Sequence, residues 1–191
     1  QLAEEGLAGG GEGIDHVFAP DHLLRDGETL QGPWGQITAL HTPGHIGNHL
    51  CFVWGEIVFT GDHVMGWASS LVSPPDGDLT DFMASCRRLK AQAWEAFYPG
   101  HGAPISDTEG RLDWLINHRL EREQQILAAL GDHPRTAADV TAFVYRDVAP
   151  ALLQAAERNV FAHLVDLHQR QRVAANPQLS STATFAIRPP D

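Results

Sequence analysis

Residues 41–63, HTPGHIGNHLCFVWGEIVFTGDH, constrain this chain more than any other stretch. They hold four of its eleven histidines. Two apolar runs, Leu50 to Trp54 and Ile57 to Thr60, are too short for helices and rich in β-branched and aromatic residues. Gly55-Glu56 separates them, so they read as a hairpin. Thr42-Pro43-Gly44-His45 precedes the first strand and Thr60-Gly61-Asp62-His63 follows the second. A hairpin returns its ends to one place, which makes His45 and Asp62 neighbours across a long sequence interval. Ala96 to Tyr98 predicts one more strand, with Pro99-Gly100-His101-Gly102 as the loop at its end.

Three strand-end loops, each offering imidazole or carboxylate among glycines, predict a metal site on one edge of a sheet. Imidazole nitrogen and carboxylate oxygen are the ligands of zinc and similar ions. Glycine lets each loop turn sharply and keeps bulk away from an ion. Thr-Pro-Gly and Gly-Asp are also common turn formers. One such histidine would mean little; three turns in this order, each with a ligand at its tip, favour the metal.

These motifs, TPGH, TGD after a strand pair and YPGHG, resemble the C-terminal half of the metallo-β-lactamase superfamily. The resemblance implies that His45, Asp62 and His101 are metal ligands. It makes Asp62 the catalytic bridge between two divalent ions, zinc above all. It places His49 and His63 beside the ligands, and Trp67 in a loop bordering the metal cleft, as pocket-lining groups. His41 is not expected to ligate. The family's upstream H-x-H-x-D-H signature is absent, since His16 and His22 have unmatched surroundings. The expectation is therefore a partial catalytic domain that binds metal weakly or not at all by itself and is inactive alone. In the intact protein the resemblance implies paired ions that lower the pKa of a bridging water toward ~7, so that metal-bound hydroxide attacks an ester, thioester, amide or phosphodiester.

The implied fold is α/β: the C-terminal half of a metallo-β-lactamase αββα sandwich, followed by a small winged-helix-like domain. The expected divisions are residues 1–110, a connecting helix over 111–131, and 132–191. Residues 1–14 read as a loose, glycine-rich entry. A strand near Glu28 to Leu30 pairs with Ile37 to Leu40 across Gly32-Pro33. Leu79, Phe82, Met83, Cys86 and Leu89 form one helical face, capped by Asp78 or Thr80. Arg87, Arg88 and Lys90 are expected to be a solvated helix end. Ser106 and Glu109 suggest a capping box opening a long helix that Gly131 closes. Its middle, His118 to Glu123, is expected to be an exposed hinge.

Downstream, Thr136 caps a predicted helix over Ala137 to Arg146. Pro150 opens another carrying Leu152, Leu153, Ala156, Val160, Leu164 and Leu167, and Thr182 to Ile187 alternates as a strand. With HRLEREQQIL, this tail resembles the β-lactamase-like protein 2 group. The group includes an endoribonuclease, so cleavage of single-stranded RNA is one alternative activity. A non-enzymatic binding protein with a degenerate metal site is another.

The formal charge is −11. Residues 1–110 carry four basic against fifteen acidic side chains, and residues 111–191 carry nine of each. The acidic half argues against long nucleic acid as substrate. The candidate recognition helix mixes Glu157, Arg158, Asp166 and Arg170, so DNA binding is not expected. The expected partners are a small-molecule or RNA substrate and a further segment or chain covering the open sheet. No run approaches the ~18 apolar residues of a membrane span. Cys51 and Cys86 sit in no disulfide framework, which predicts buried free thiols in a cytoplasmic protein.

Overall fold

The computed structural model describes residues 17–189. The glycine-rich entry expected over residues 1–14 lies outside them. Strands β1 (Thr29–Gly32), β2 (Gly35–His41), β3 (Leu50–Trp54) and β4 (Ile57–Gly61) form an antiparallel meander. Helix α1 (Leu79–Lys90) then crosses over to β5 (Ala96–Pro99), which pairs parallel with β4. The sheet order is β1-β2-β3-β4-β5. The predicted hairpin is therefore present, with Trp54 opposite Ile57.

The pleat sends alternate residues to opposite faces. Cys51, Val58 and Phe97 point into a core with Phe82, Cys86 and Leu89 of α1. Phe59 and Tyr98 lie on the other face, 38% and 40% exposed, with ring centroids 5.7 Å apart. That face carries Phe52 as the partner of Phe59.

Asp78 caps α1, accepting from the Asp81 amide. The basic end of this helix is anchored rather than merely solvated. Arg88 donates to the His41 carbonyl and to Asp26, and Lys90 pairs with Asp113. Helix α2 (Thr108–Leu130) begins one residue later than its sequence suggests: Asp107, not Ser106, is the N-cap and accepts from Gly110 N at 2.9 Å. A carboxylate there also complements the helix dipole.

Helix α2 serves two cores. Leu112 and Leu115 join the first. Ile126 and Leu130 join a second with Val140, Val160, Leu164 and Phe185. The charged middle of α2 is not an exposed hinge: Arg119 is 3% exposed. The second core belongs to α3 (Ala137–Val144), α4 (Leu153–Gln169) and a three-stranded sheet. Its strands are β6 (Arg135–Thr136), β7 (Val173–Asn176) and β8 (Thr184–Ile187), in the order β6-β8-β7. Helix α3 stops two residues short of Arg146, and its Thr136 and Asp139 complete a reciprocal capping box. Both cysteines are free and buried. No described helix is long and apolar enough to cross a membrane.

Candidate metal centre

The loop after β2 is shaped by its contact with α1. Gly44 has φ +138°, and a Cβ there would meet the Phe82 Cα at 2.3 Å. Only glycine fits that contact. The Gly44 carbonyl accepts from Asp78 N at 2.9 Å, and the Pro43 carbonyl accepts from Ser85 Oγ at 2.7 Å. The turn is thus pinned to the start of α1, and His45 follows it. His45 Nδ1 lies 2.7 Å from the Leu71 carbonyl. A carbonyl only accepts, so Nδ1 carries the proton. In the neutral ring the lone pair is then on Nε2, the arrangement used by metal-ligating histidines.

The loops after β4 and β5 meet directly. Gly100 N donates to the Gly61 carbonyl at 2.9 Å. Asp62 Oδ1 lies 3.7 Å from His101 Nε2. A Cβ on Gly100 would stand 2.8 Å from the same carboxylate oxygen, so the absent side chain is what leaves Asp62 its place.

His49 lies between these groups. Its Nδ1 is 2.9 Å from Thr42 Oγ1, and its Nε2 faces Gly61 so closely that a Cβ there would stand 2.8 Å away. Its ring centroid is 6.4 Å from that of His45 and 5.6 Å from that of His63. Burial, aided by the His45 ring and opposed by Asp62, pushes His49 down to about 4. His63 is fully buried and pushed down to about 3, mainly by the same loss of water. Its Nε2 lies 3.6 Å from Cys86 Sγ and its Nδ1 has no partner. Both rings are neutral at pH 7.

The structure thus brings Asp62 and His101 together and reaches His45 through His49. It does not close the three into one cluster: among the described residues, no three histidine, cysteine or acidic side chains stand together as an ion cage. The donor chemistry nevertheless fits a divalent ion, with one carboxylate, one imidazole beside it and one imidazole whose tautomer is fixed. Trp67, 71% exposed, does not cap the core; its Cδ1 would lie 3.1 Å from a Cβ on Gly102, beside His101.

Sequence reasoning missed the support behind Asp62. Ser70 Oγ donates to the Asp62 carbonyl and, at 2.9 Å, to that of His63. Arg119 in turn donates to the Ser70 carbonyl. A signal for Arg119 existed: it occupies the apolar stripe of α2, four residues after Leu115 and seven before Ile126.

The model of the β-lactamase associated winged helix domain matches residues 136–181. A β-lactamase-like protein 2 homolog of Drosophila melanogaster is 30% identical over 156 residues, 80% of this chain and 52% of the fly protein. An atrochrysone carboxyl ACP thioesterase of Claviceps purpurea is 39% identical over 108 residues, 56% of this chain and 34% of its own length. Among solved structures, a metallo-β-lactamase family protein of Thermus thermophilus superposes with a TM-score of 0.75 at 27% identity. The match covers 86% of this chain and 54% of that one. The chain therefore spans about half, or less, of the length of the relatives it matches.

Proposed function

We propose that this chain, which belongs to the metallo-β-lactamase superfamily and carries the winged-helix tail associated with it, supplies part of the centre of a metal-dependent hydrolase. In this reading His45, Asp62 and His101 are the residues of this chain that would hold the divalent ions, with the Asp62 carboxylate central to the set. Zinc suits such an imidazole and carboxylate set. When bound, the ions polarise the substrate's carbonyl and make water a nucleophile near neutral pH. A catalytic ion takes about three protein ligands. Further protein ligands would complete each ion's set.

The chain's own groups hold this arrangement ready. The Leu71 carbonyl keeps the proton on His45 Nδ1 and offers Nε2. Gly100 leaves space for the Asp62 carboxylate. His49 and His63 stay neutral and add no positive charge beside an incoming cation. Trp67 forms an exposed apolar wall beside His101. The open sheet face bearing Phe59 and Tyr98 takes a second sheet, as an αββα sandwich requires. The free thiols of Cys51 and Cys86 support a reducing, cytoplasmic setting.

Among hydrolysable bonds we favour a thioester, because the fungal relative is named as a thioesterase. The 3.7 Å approach of Asp62 and His101 carries the reading. The test is hydrolysis of an acyl thioester by the full-length protein. Turnover should be lost to a chelator, restored by zinc, and reduced at least about a hundredfold in Asp62→Asn. Undiminished turnover by that variant contradicts the assignment.

A further inference from the structure

Helices α1, α2 and α4 enclose a cleft of about 130 Å³ whose lining includes neither Asp62 nor His101. By a share of ~30 Å³ per water, it has room for about four water molecules. Two of the side chains lining it are almost wholly buried and incompletely partnered. His163 is 1% exposed, and among the described residues neither ring nitrogen has a hydrogen-bond partner. Arg119 spends Nη1 and Nη2 on Asn159 and Ser70, but its Nε is unpartnered. Buried polar groups are normally satisfied, and leaving one unsatisfied is costly.

The charges make the same point. A buried cation is ordinarily paired. Among the described residues, Arg119 forms no ion pair with a carboxylate; its partners are a carbonyl, an amide oxygen and the face of the Phe82 ring, 5.2 Å from the guanidinium carbon. The cleft's two carboxylates are engaged elsewhere. Glu123 pairs with Arg170, and Asp166 pairs with Arg170 and accepts from Thr80 Oγ1 at 2.6 Å. With Arg87 at the rim, three guanidinium groups line the cleft against those two acids. The cation without a carboxylate partner is the one at the buried end, next to an imidazole whose single ring N–H has no partner among the described residues.

We infer that this cleft is a binding site for a compact oxyanion, a phosphate or carboxylate group, held by Arg119 and His163 where the winged-helix elements meet the first domain. The anion would supply the counter-charge that Arg119 lacks and would accept a hydrogen bond from His163. It would also tie α4 to α1 and α2. The inference does not rest on a bound metal, although Arg119 also supports the loop after Asp62 through Ser70.

The test uses metal-free protein in chelator and a chloride-balanced buffer. Inorganic phosphate and acetate are titrated separately. The readouts are the Arg119 Nε–H resonance in ¹⁵N-resolved spectra and the thermal midpoint, which a ligand of the native state raises. At least one anion should shift the resonance saturably and raise the midpoint. Phosphate alone, or acetate alone, identifies the group. His163→Phe keeps the ring volume and should weaken binding at least tenfold, and Arg119→Met should abolish it. Should Arg119→Met fail to fold, the His163→Phe comparison decides. The inference is overturned if neither anion saturates, or if His163→Phe binds as tightly as the wild type.

Discussion

Arg119 donates through Nη2 to the main-chain carbonyl of Ser70, the residue whose hydroxyl holds the Asp62 carbonyl. Through Nη1 the same guanidinium reaches Asn159 Oδ1 on α4 at 3.1 Å, and that oxygen also accepts from Val72 N at 3.3 Å. A planar fork of donors is what such a bridge needs. The loop following Asp62 is therefore clamped from two helices, one of them in the winged-helix part. The tail that looks appended in sequence helps position the candidate ligand.

Replacing Arg119 should accordingly be costly. Arg119→Met leaves the Ser70 carbonyl without its Arg119 donor and takes one of two donors from Asn159 Oδ1, and we expect a loss of about 2–4 kcal/mol in urea unfolding. Arg119→Lys keeps a cation but cannot bridge both acceptors, and should recover less than half of that loss. Amide exchange over residues 62–72 should accelerate in both variants. A loop whose protection is unchanged would show that the clamp carries no strain from the helices.

The turn motifs were legible because they are local. Gly44, Gly61 and Gly100 announce tight approaches, and the short apolar, β-branched runs on either side of Gly55-Glu56 define a hairpin without any long-range information. The α1 face was equally plain from its spacing. Arg119 was not, because charge in a helix ordinarily marks an exposed side. Its burial depends on partners some 40 to 50 residues away in each direction, Ser70 and Asn159. The cap of α2 was missed by one residue because Ser106 and Asp107 are both good caps, and backbone geometry chose the carboxylate. The incomplete closure of His45, Asp62 and His101 is likewise a property of three loops together, which no single motif encodes.

Gly100→Ala tests the cradle. The new methyl would lie 2.8 Å from Asp62 Oδ1 and must displace it. Zinc affinity of the full-length protein should fall about 10- to 100-fold, by analogy with losses of orienting groups around metal ligands. The φ of Gly100 is not in the left-handed region, so the unfolding midpoint should move little. Unchanged zinc affinity would show that Asp62 is not held where a metal needs it.

Acid should unfold this protein in part through His163. Burial holds that imidazole well below its ordinary 6.5, with Arg119, Arg122, His118 and Arg170 pushing the same way. The folded state then binds fewer protons than the unfolded one below pH 6.5. The stability contribution is complete above that value and is lost as pH falls toward the folded pKa. Between pH 7.5 and 5.5 the stability should fall on this group's account by on the order of 1 kcal/mol. His163→Phe should remove that increment from the pH dependence of urea unfolding in phosphate-free buffer. An identical pH slope in the variant would show that His163 is protonated in the fold.

Because α2 contributes to both cores, the two should melt together. Leu112→Ala in the first and Leu130→Ala in the second should each lower one common transition by about 2–5 kcal/mol. Two separated transitions, each moved by only one substitution, would contradict the coupling.

The central claim is that His45, Asp62 and His101 are the residues that meet a divalent ion. Long-range ¹⁵N spectra of the histidine rings during zinc addition test it directly, whatever the affinity. The Nε2 resonances of His45 and His101 should shift first, Asp62→Asn should weaken both shifts, and His163 should stay unmoved. Zinc collecting instead at exposed rings such as His22 or His133, with His45 and His101 silent, would contradict it.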